Sequence, residues 1–208
     1  MKILAATRSP GKQREIRRVL SSPTLEIVFP DDIWLHQSSA GDPVEDGESF
    51  EINARHKAEY FVRLSSLPTF ADDSGLEVFS LGGAPGVRSK RWAGASGSEA
   101  EIDAANNAEL VKRLAGAPAS ARVARYRCVL YYLPAFGTTP TICQGDCSGR
   151  ILEEPRGSGG FGYDPYFVSD ELGKTFGEAT DEEKDSVSHR GRALRALAKI
   201  LQRHLDHR

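Results

Sequence analysis

The opening thirty residues alternate between apolar runs and a helical repeat, and this alternation restricts the fold more than any other feature. "KILAA" (2–6) reads as a short buried strand. A glycine-containing turn follows, then "KQREIRRVL" with Ile16, Val19 and Leu20 at helical spacing. "LEIVF" reads as a second strand, stopped by Pro30, and residues 31–48 are turn-rich and acidic. Ser49 is a good N-cap for a helix from about Phe50 to Leu64, with Phe50, Ala54, Ala58 and Phe61 on one stripe. "TFADD" and "GLEVFSL" read as strands around a glycine turn, and "GGAPGVRS" as a loop. Ser98 and Glu101 form a capping box for the next helix. "RVARYRCVLYYL" is a long strand placing Ala124, Tyr126, Cys128, Leu130 and Tyr132 on one face. It pairs with "TICQGDCSG" across the Pro134–Pro140 turn. A last helix is expected from about Ser186 to the end, with Leu194, Leu197, Leu201 and Leu205 inward. Early alternation followed by a hairpin predicts an α/β fold with a mixed sheet.

At 208 residues the chain has room for one domain, 1–208, with two lobes. A formal net charge of -2 supplies no global field for nucleic acid or an anionic membrane, so phosphate binding requires a local site. No run approaches the ~18 apolar residues of a membrane span, and Met1 leads into "KILAAT" without a signal-peptide core. Cys128, Cys143 and Cys147 are an odd count in a long chain and read as thiols of a reducing, cytoplasmic compartment.

Four constellations carry chemistry. In "ATRSPGK" a strand, a turn and a helix start follow one another, an arrangement whose backbone N–H groups bind anions. Thr7 and Ser9 add hydroxyls and Lys12 a charge, although an ordinary turn has the same appearance. Asp72 and Asp73 form an acidic group at an expected strand end, with Glu45 in the preceding loop. Adjacent strand residues face opposite sides, so the two aspartates have different roles. Such hard oxygens suit Mg²⁺, and "DDSG" is also compatible with a simple polar turn. Asn53 and Lys57, four apart, share a helix face, functional or merely solvated. In the C-terminal half, "FGYDP" (161–165), Lys184 and "SHRG" (188–191) combine an aromatic in a glycine loop with donors suited to purine carbonyls or phosphate. His189 is equally readable as a capping or core histidine.

"LAATRSPGK", "ADDSGLEVFSLGGAPGVRSKRWAG", "GGFGYDPYF" and "EEKDSVSHRG" occur in one order along residues 3 to about 200. In these motifs the chain resembles the inosine triphosphate pyrophosphatases, the noncanonical purine nucleoside triphosphate pyrophosphatases of dITP/XTP type. The resemblance implies an elongated mixed sheet flanked by helices, two lobes, a central substrate cleft and a homodimer. It implies Mg²⁺-dependent hydrolysis of dITP, ITP and XTP to monophosphate and pyrophosphate, which keeps deaminated purines out of DNA and RNA. Thr7, Arg8, Ser9, Pro10, Gly11 and Lys12 would hold the triphosphate. Asp73 would be general base and metal-linked carboxylate, Glu45 a metal ligand, and Asp72 a second one. Lys57 would sit close to the catalytic carboxylate, and Ser74 would touch substrate. Phe161, Gly162, Tyr163, Asp164, Lys184, His189 and Arg190 would form the nucleobase and sugar pocket. The family usually carries Asn where this chain has Ser9, which keeps a donor but shortens its reach. Alternatives are a related pyrophosphatase for modified pyrimidine or methylated nucleotides, and a nucleotide-binding module without catalysis.

Overall fold

The computed structural model describes residues 1–35, 43 and 45–206, without the side chains of 204 and 206. Part of the acidic stretch expected over 31–48 lies outside the described residues; ahead of it Pro30–Ile33 forms a 3-10 turn. The strands are β1 (Lys2–Ala5), β2 (Glu26–Val28), β3 (Thr69–Val78), β4 (Val123–Leu133), β5 (Thr141–Ile151) and β6 (Phe167–Ser169). The helices are α1 (Pro10–Val19), α2 (Phe50–Ser65), α3 (Glu99–Arg113), α4 (Asp181–Val187) and α5 (His189–Asp206). The strands form one six-stranded sheet in the order β2-β1-β3-β4-β5-β6. β1 runs parallel to β2 (Ile3 opposite Ile27) and to β3 (Leu4 opposite Thr69), whereas β5 and β6 are antiparallel. The sheet is therefore mixed, and α1 provides the crossover that a parallel β1–β2 pair requires.

The chain divides into two compact units. The first comprises residues 1–73, 128–145 and 190–208; the second comprises 74–127 and 146–189. In the first unit the period-2 alternation of the strands is complete. Ile3, Ala5, Phe70, Cys128, Leu130 and Tyr132 share a core with Ile16 and Leu20 of the α1 region and Leu194, Leu197 and Leu201 of α5. Their neighbours Leu4, Ala6, Ala71, Tyr131 and Leu133 pack instead with Ala54, Ala58 and Phe61 of α2. Both faces of these strands are covered, which is why "KILA" lacks polar alternation. The second unit has its own core, in which Leu76, Val78, Leu110, Ala124, Tyr126, Phe167 and Phe176 meet.

Local capping explains several boundaries. Ser49 Oγ accepts the Ile52 N–H at 3.2 Å and starts α2. Ser98 and Glu101 cap α3 reciprocally, and Thr180 and Glu183 do the same for α4. Two expectations are corrected. No turn interrupts β3 at Gly75, which is buried within a continuous strand, so Asp72 and Asp73 stand mid-strand rather than at a strand end. The last helix begins at His189 rather than near Ser186, because Ser188 is extended (φ -66, ψ 154) and residues 186–187 close a separate helix, α4. Leu205 is half-buried, while Leu194, Leu197 and Leu201 are fully inside.

Leu197 lies at the centre of this packing, with no exposed surface. Leu197→Ala should destabilise the protein by about 2–5 kcal/mol through lost transfer energy and an unfilled cavity. Urea denaturation checks this, and a loss under about 1 kcal/mol would mean that α5 is not part of the core as described.

Candidate active site

The alternation that builds the first unit's core also sorts its carboxylates. Phe70 faces α1 and α5, Ala71 faces α2, and the strand carries this pattern on into Asp72 and Asp73. Asp72 accordingly meets α1 and α5: its Oδ2 lies 3.0 Å from Lys12 Nζ and 3.2 Å from Arg190 Nε. Arg190 also donates through Nη1 to Glu15, and Glu15, Asp72 and Arg190 are all buried. Asp73 turns towards α2, where Asn53 Nδ2 donates to its Oδ2 at 2.9 Å. Asn53 Oδ1 in turn accepts the Gly47 N–H at 2.8 Å, tying the segment that carries Glu45 to the same helix. A side chain at Gly47 would bring a Cβ within 2.6 Å of that Asn53 oxygen, so the close approach requires glycine. Lys57, one turn beyond Asn53, makes an ion pair with Glu45.

The electrostatics of the two aspartates are opposite. Burial favours a neutral Asp72, but the charges of Lys12, Arg190 and Lys57 outweigh it and hold this carboxyl well below the usual range. Burial also raises Asp73, and here it prevails, with the nearby Glu45 carboxylate adding to it against Lys12, Lys57 and the Asn53 amide. Glu45 is held low despite burial by Lys57 and Lys12. Lys57, which burial alone would discharge, is kept protonated by Glu45, Asp72 and Asp73. The site thus holds two carboxylates kept ionised, Asp72 and Glu45, beside one with raised proton affinity, Asp73.

Thr7 to Lys12 connect β1 to α1. Ser9 is the N-cap residue, but its hydroxyl makes no capping bond; its N–H approaches Thr7 Oγ1 at 3.3 Å. Pro10 occupies the first turn, whose remaining N–H groups, those of Gly11 and Lys12, have no acceptor within the helix by its geometry. Arg8 points to the 31–35 segment, where it pairs with Asp31 and donates to the Leu35 carbonyl at 2.5 Å.

The second unit holds the remaining motif residues. Ser74 follows Asp73 on β3 and is half-buried. In the glycine loop, Asp164 Oδ2 accepts the Phe161 N–H at 2.8 Å and pairs with Lys184 Nζ at 2.5 Å. A Cβ on Gly160 would fall 2.0 Å from Asp164 Oδ2, so only glycine admits this carboxylate. Lys184 Nζ sits 4.7 Å from the Phe161 ring centroid and 5.6 Å from that of Phe176. Tyr163 is buried in the core and donates its hydroxyl to the Ser89 carbonyl at 2.8 Å. His189 stacks on Tyr126, with ring centroids 4.6 Å apart and planes 7° from parallel. Arg190, grouped with these residues by its motif, directs its Nε and Nη1 to Asp72 and Glu15 in the first unit.

Sequence reasoning missed Glu15, whose signal was an acidic residue beside Ile16 on the inward face of α1. It also missed Asp103 and Asn107 of α3, which bond to the peptide groups of Gly162. Their signal was a polar pair one helical turn apart. Among the described residues no group of three or more His, Cys, Asp or Glu side chains converges as a ready-made metal cage. What exists is a pair of hard carboxylates, Glu45 and Asp73, close enough for one to raise the proton affinity of the other. A divalent cation completed by phosphate oxygens and water matches that donor set.

Fold and site together define an α/β protein equipped for chemistry on a phosphorylated ligand. The sequence profile of the Ham1 family matches residues 3–200, and the chain belongs to that family. It is 43% identical over 203 residues to the dITP/XTP pyrophosphatase of Lactobacillus acidophilus, covering 96% of each chain. It is 42% identical over 202 residues to that of Escherichia coli K12, covering 97% of this chain and 98% of the other. The solved HAM1 protein of Coxiella burnetii superposes with a TM-score of 0.84 at 34% identity, across 98% of this chain and 99% of that one.

A raised carboxyl takes up a proton on folding, so its contribution to stability is present at low pH and lost as pH rises through its folded pKa. In metal-free buffer at pH 7, Asp73→Asn should therefore melt at a higher temperature than the parent. This gain should fade on acidification through the carboxylate range. A lower melting temperature for the variant at every pH would contradict the assigned environment of Asp73.

Proposed function

We propose that the chain is a nucleoside triphosphate pyrophosphohydrolase acting on deaminated purine nucleotides, dITP, ITP and XTP, and releasing pyrophosphate and the monophosphate. The observation that carries this reading is the opposed environment of Asp72 and Asp73. Two titratable groups with proton affinities driven apart are what an acid–base site requires. The near full-length likeness to proteins named dITP/XTP pyrophosphatases supports it.

In this reading Asp73 accepts a proton from a water molecule whose oxygen attacks the α-phosphorus. The bond from that phosphorus to the bridging oxygen breaks, and pyrophosphate leaves. Glu45 and Asp73 would hold Mg²⁺, which when bound would supply charge neutralisation. Lys12 and the first-turn amides of α1 hold the anionic phosphates, with Thr7 and Ser9 hydroxyls beside them. Asp72 stays ionised, positions Lys12 and adds to the field that keeps Lys57 charged. Positioning and preorganised charge contribute most of the rate.

Phe161 offers a ring for stacking, and the Lys184 and His189 region supplies donors for a purine 6-carbonyl. Adenine presents an amino group there, leaving a buried donor unpaired at a cost of about 1–3 kcal/mol. Among the described residues no helix is long and apolar enough to cross a membrane. The three cysteines are free and buried, in keeping with a reducing cytoplasm, and a homodimer completes the proposal.

The test is pyrophosphate release with Mg²⁺ from dITP, ITP and XTP against dATP, dGTP, dCTP and dTTP. Fast release from the first three only is expected, with loss of turnover on chelation by EDTA. Asp73→Asn should lower the rate by about 10²–10⁴. Equal release from all seven, preference for a pyrimidine or methylated nucleotide, or ITP binding without turnover would each replace this reading.

A further inference from the structure

The glycine loop before β6 is tied down residue by residue. The Phe161 N–H goes to Asp164, and the Tyr163 hydroxyl goes to Ser89. Between them, Gly162 has both halves of its backbone polarity engaged by one helix. Its N–H donates to Asp103 Oδ2 at 2.8 Å, and its carbonyl accepts from Asn107 Nδ2 at 2.9 Å. Asp103 and Asn107 lie four apart on α3 and so present one face. That helix is itself anchored, by the Ser98–Glu101 box at its start and by fully buried Leu110. Asn106, on the same side, fixes the preceding segment: its Oδ1 accepts the Ala93 N–H at 2.9 Å, and its Nδ2 donates to the Lys90 carbonyl at 3.0 Å. Lys90 reaches back to Asp103 at 3.0 Å.

Gly162 has a φ of +63° and open space where a side chain would project. The chain here is permissive by composition, with Gly159, Gly160 and Gly162 inside four residues. Permissive backbone does not hold an aromatic ring in one orientation unless something external fixes it. We propose that Asp103 and Asn107 are positioning residues that hold the Gly162 peptide, and thereby Phe161, in the orientation that receives the purine. This rests on the function proposed above for the Phe161 loop. Neither residue touches the nucleotide; they act through the loop's backbone. The Asp103 bond, with a carboxyl oxygen as acceptor, is the shorter of the two.

The experiment compares Asp103→Ala, Asn107→Ala and Asp103→Asn with the parent enzyme. It reads backbone amide exchange over residues 158–166, together with kcat and KM for ITP and for ATP. The alanine variants should exchange the Gly162 amide about tenfold faster or more and raise KM for ITP about tenfold, with kcat within about threefold. Their preference for ITP over ATP should fall with KM. Asp103→Asn keeps an oxygen acceptor for the Gly162 N–H and should stay within about threefold of the parent in both readouts. A merely structural role would give no such rescue pattern and no split between KM and kcat. Unchanged exchange and KM in the alanine variants would overturn the inference. So would an Asp103→Asn enzyme as impaired as Asp103→Ala, or a fall in kcat at constant KM. A parent enzyme that fails to turn over ITP would instead defeat the functional reading, and the exchange data would still decide whether α3 holds the loop.

Discussion

Two negative charges on consecutive residues, both buried in the middle of a sheet strand, are the constraint around which the first unit is organised. Like charges at that depth are tolerable only with separate compensation. The pleat supplies the separation, sending Asp72 towards α1 and α5 and Asp73 towards α2. Compensation is then unequal. Asp72 has Lys12 and Arg190 in direct contact, whereas at Asp73 the Asn53 amide and the charges of Lys12 and Lys57 do not outweigh burial and the Glu45 carboxylate. The two environments differ accordingly: Asp72 is locked into the ion-pair network of α1 and α5, and Asp73 keeps a raised proton affinity.

The same logic runs outward. Glu15 helps neutralise Arg190, so that the guanidinium beside Asp72 is not itself an uncompensated charge. Asn53 bridges Asp73 and the Gly47 backbone, which places Glu45 within reach of Lys57. In the second unit the Lys184–Asp164 pair plays the corresponding part, buried and packed against Phe161 and Phe176. There the pair's carboxylate also accepts the Phe161 N–H, so the ion pair fixes the loop's conformation.

Much of this was legible from residue order. Strand–helix alternation gave the mixed α/β sheet, the Phe50, Ala54, Ala58 and Phe61 stripe gave the buried face of α2, and the period of two separated Asp72 from Asp73. The continuity of β3 was hidden, because "DSG" carries turn chemistry and only burial of Gly75 in the sheet shows that it stays extended. The break at Ser188 was hidden too, since "SVSHRG" places no Pro or Gly between α4 and α5. The partners of Arg190 depend on bringing residues 15, 72 and 190 together, a long-range arrangement that no local pattern encodes. Asp103 and Asn107 went unnoticed because their partners, a backbone N–H and a carbonyl respectively, belong to a glycine more than fifty positions away.

Neighbouring aspartates on one strand thus have proton affinities displaced in opposite directions. The direct test is a carbon-13 NMR titration of the aspartate carboxyls in metal-free protein, assigned with the Asp72→Asn and Asp73→Asn variants. Asp73 should titrate above the usual carboxylate value of about 3.9, and Asp72 should remain ionised well below it. Two carboxyls titrating together near the usual value, or in the reverse order, would contradict this.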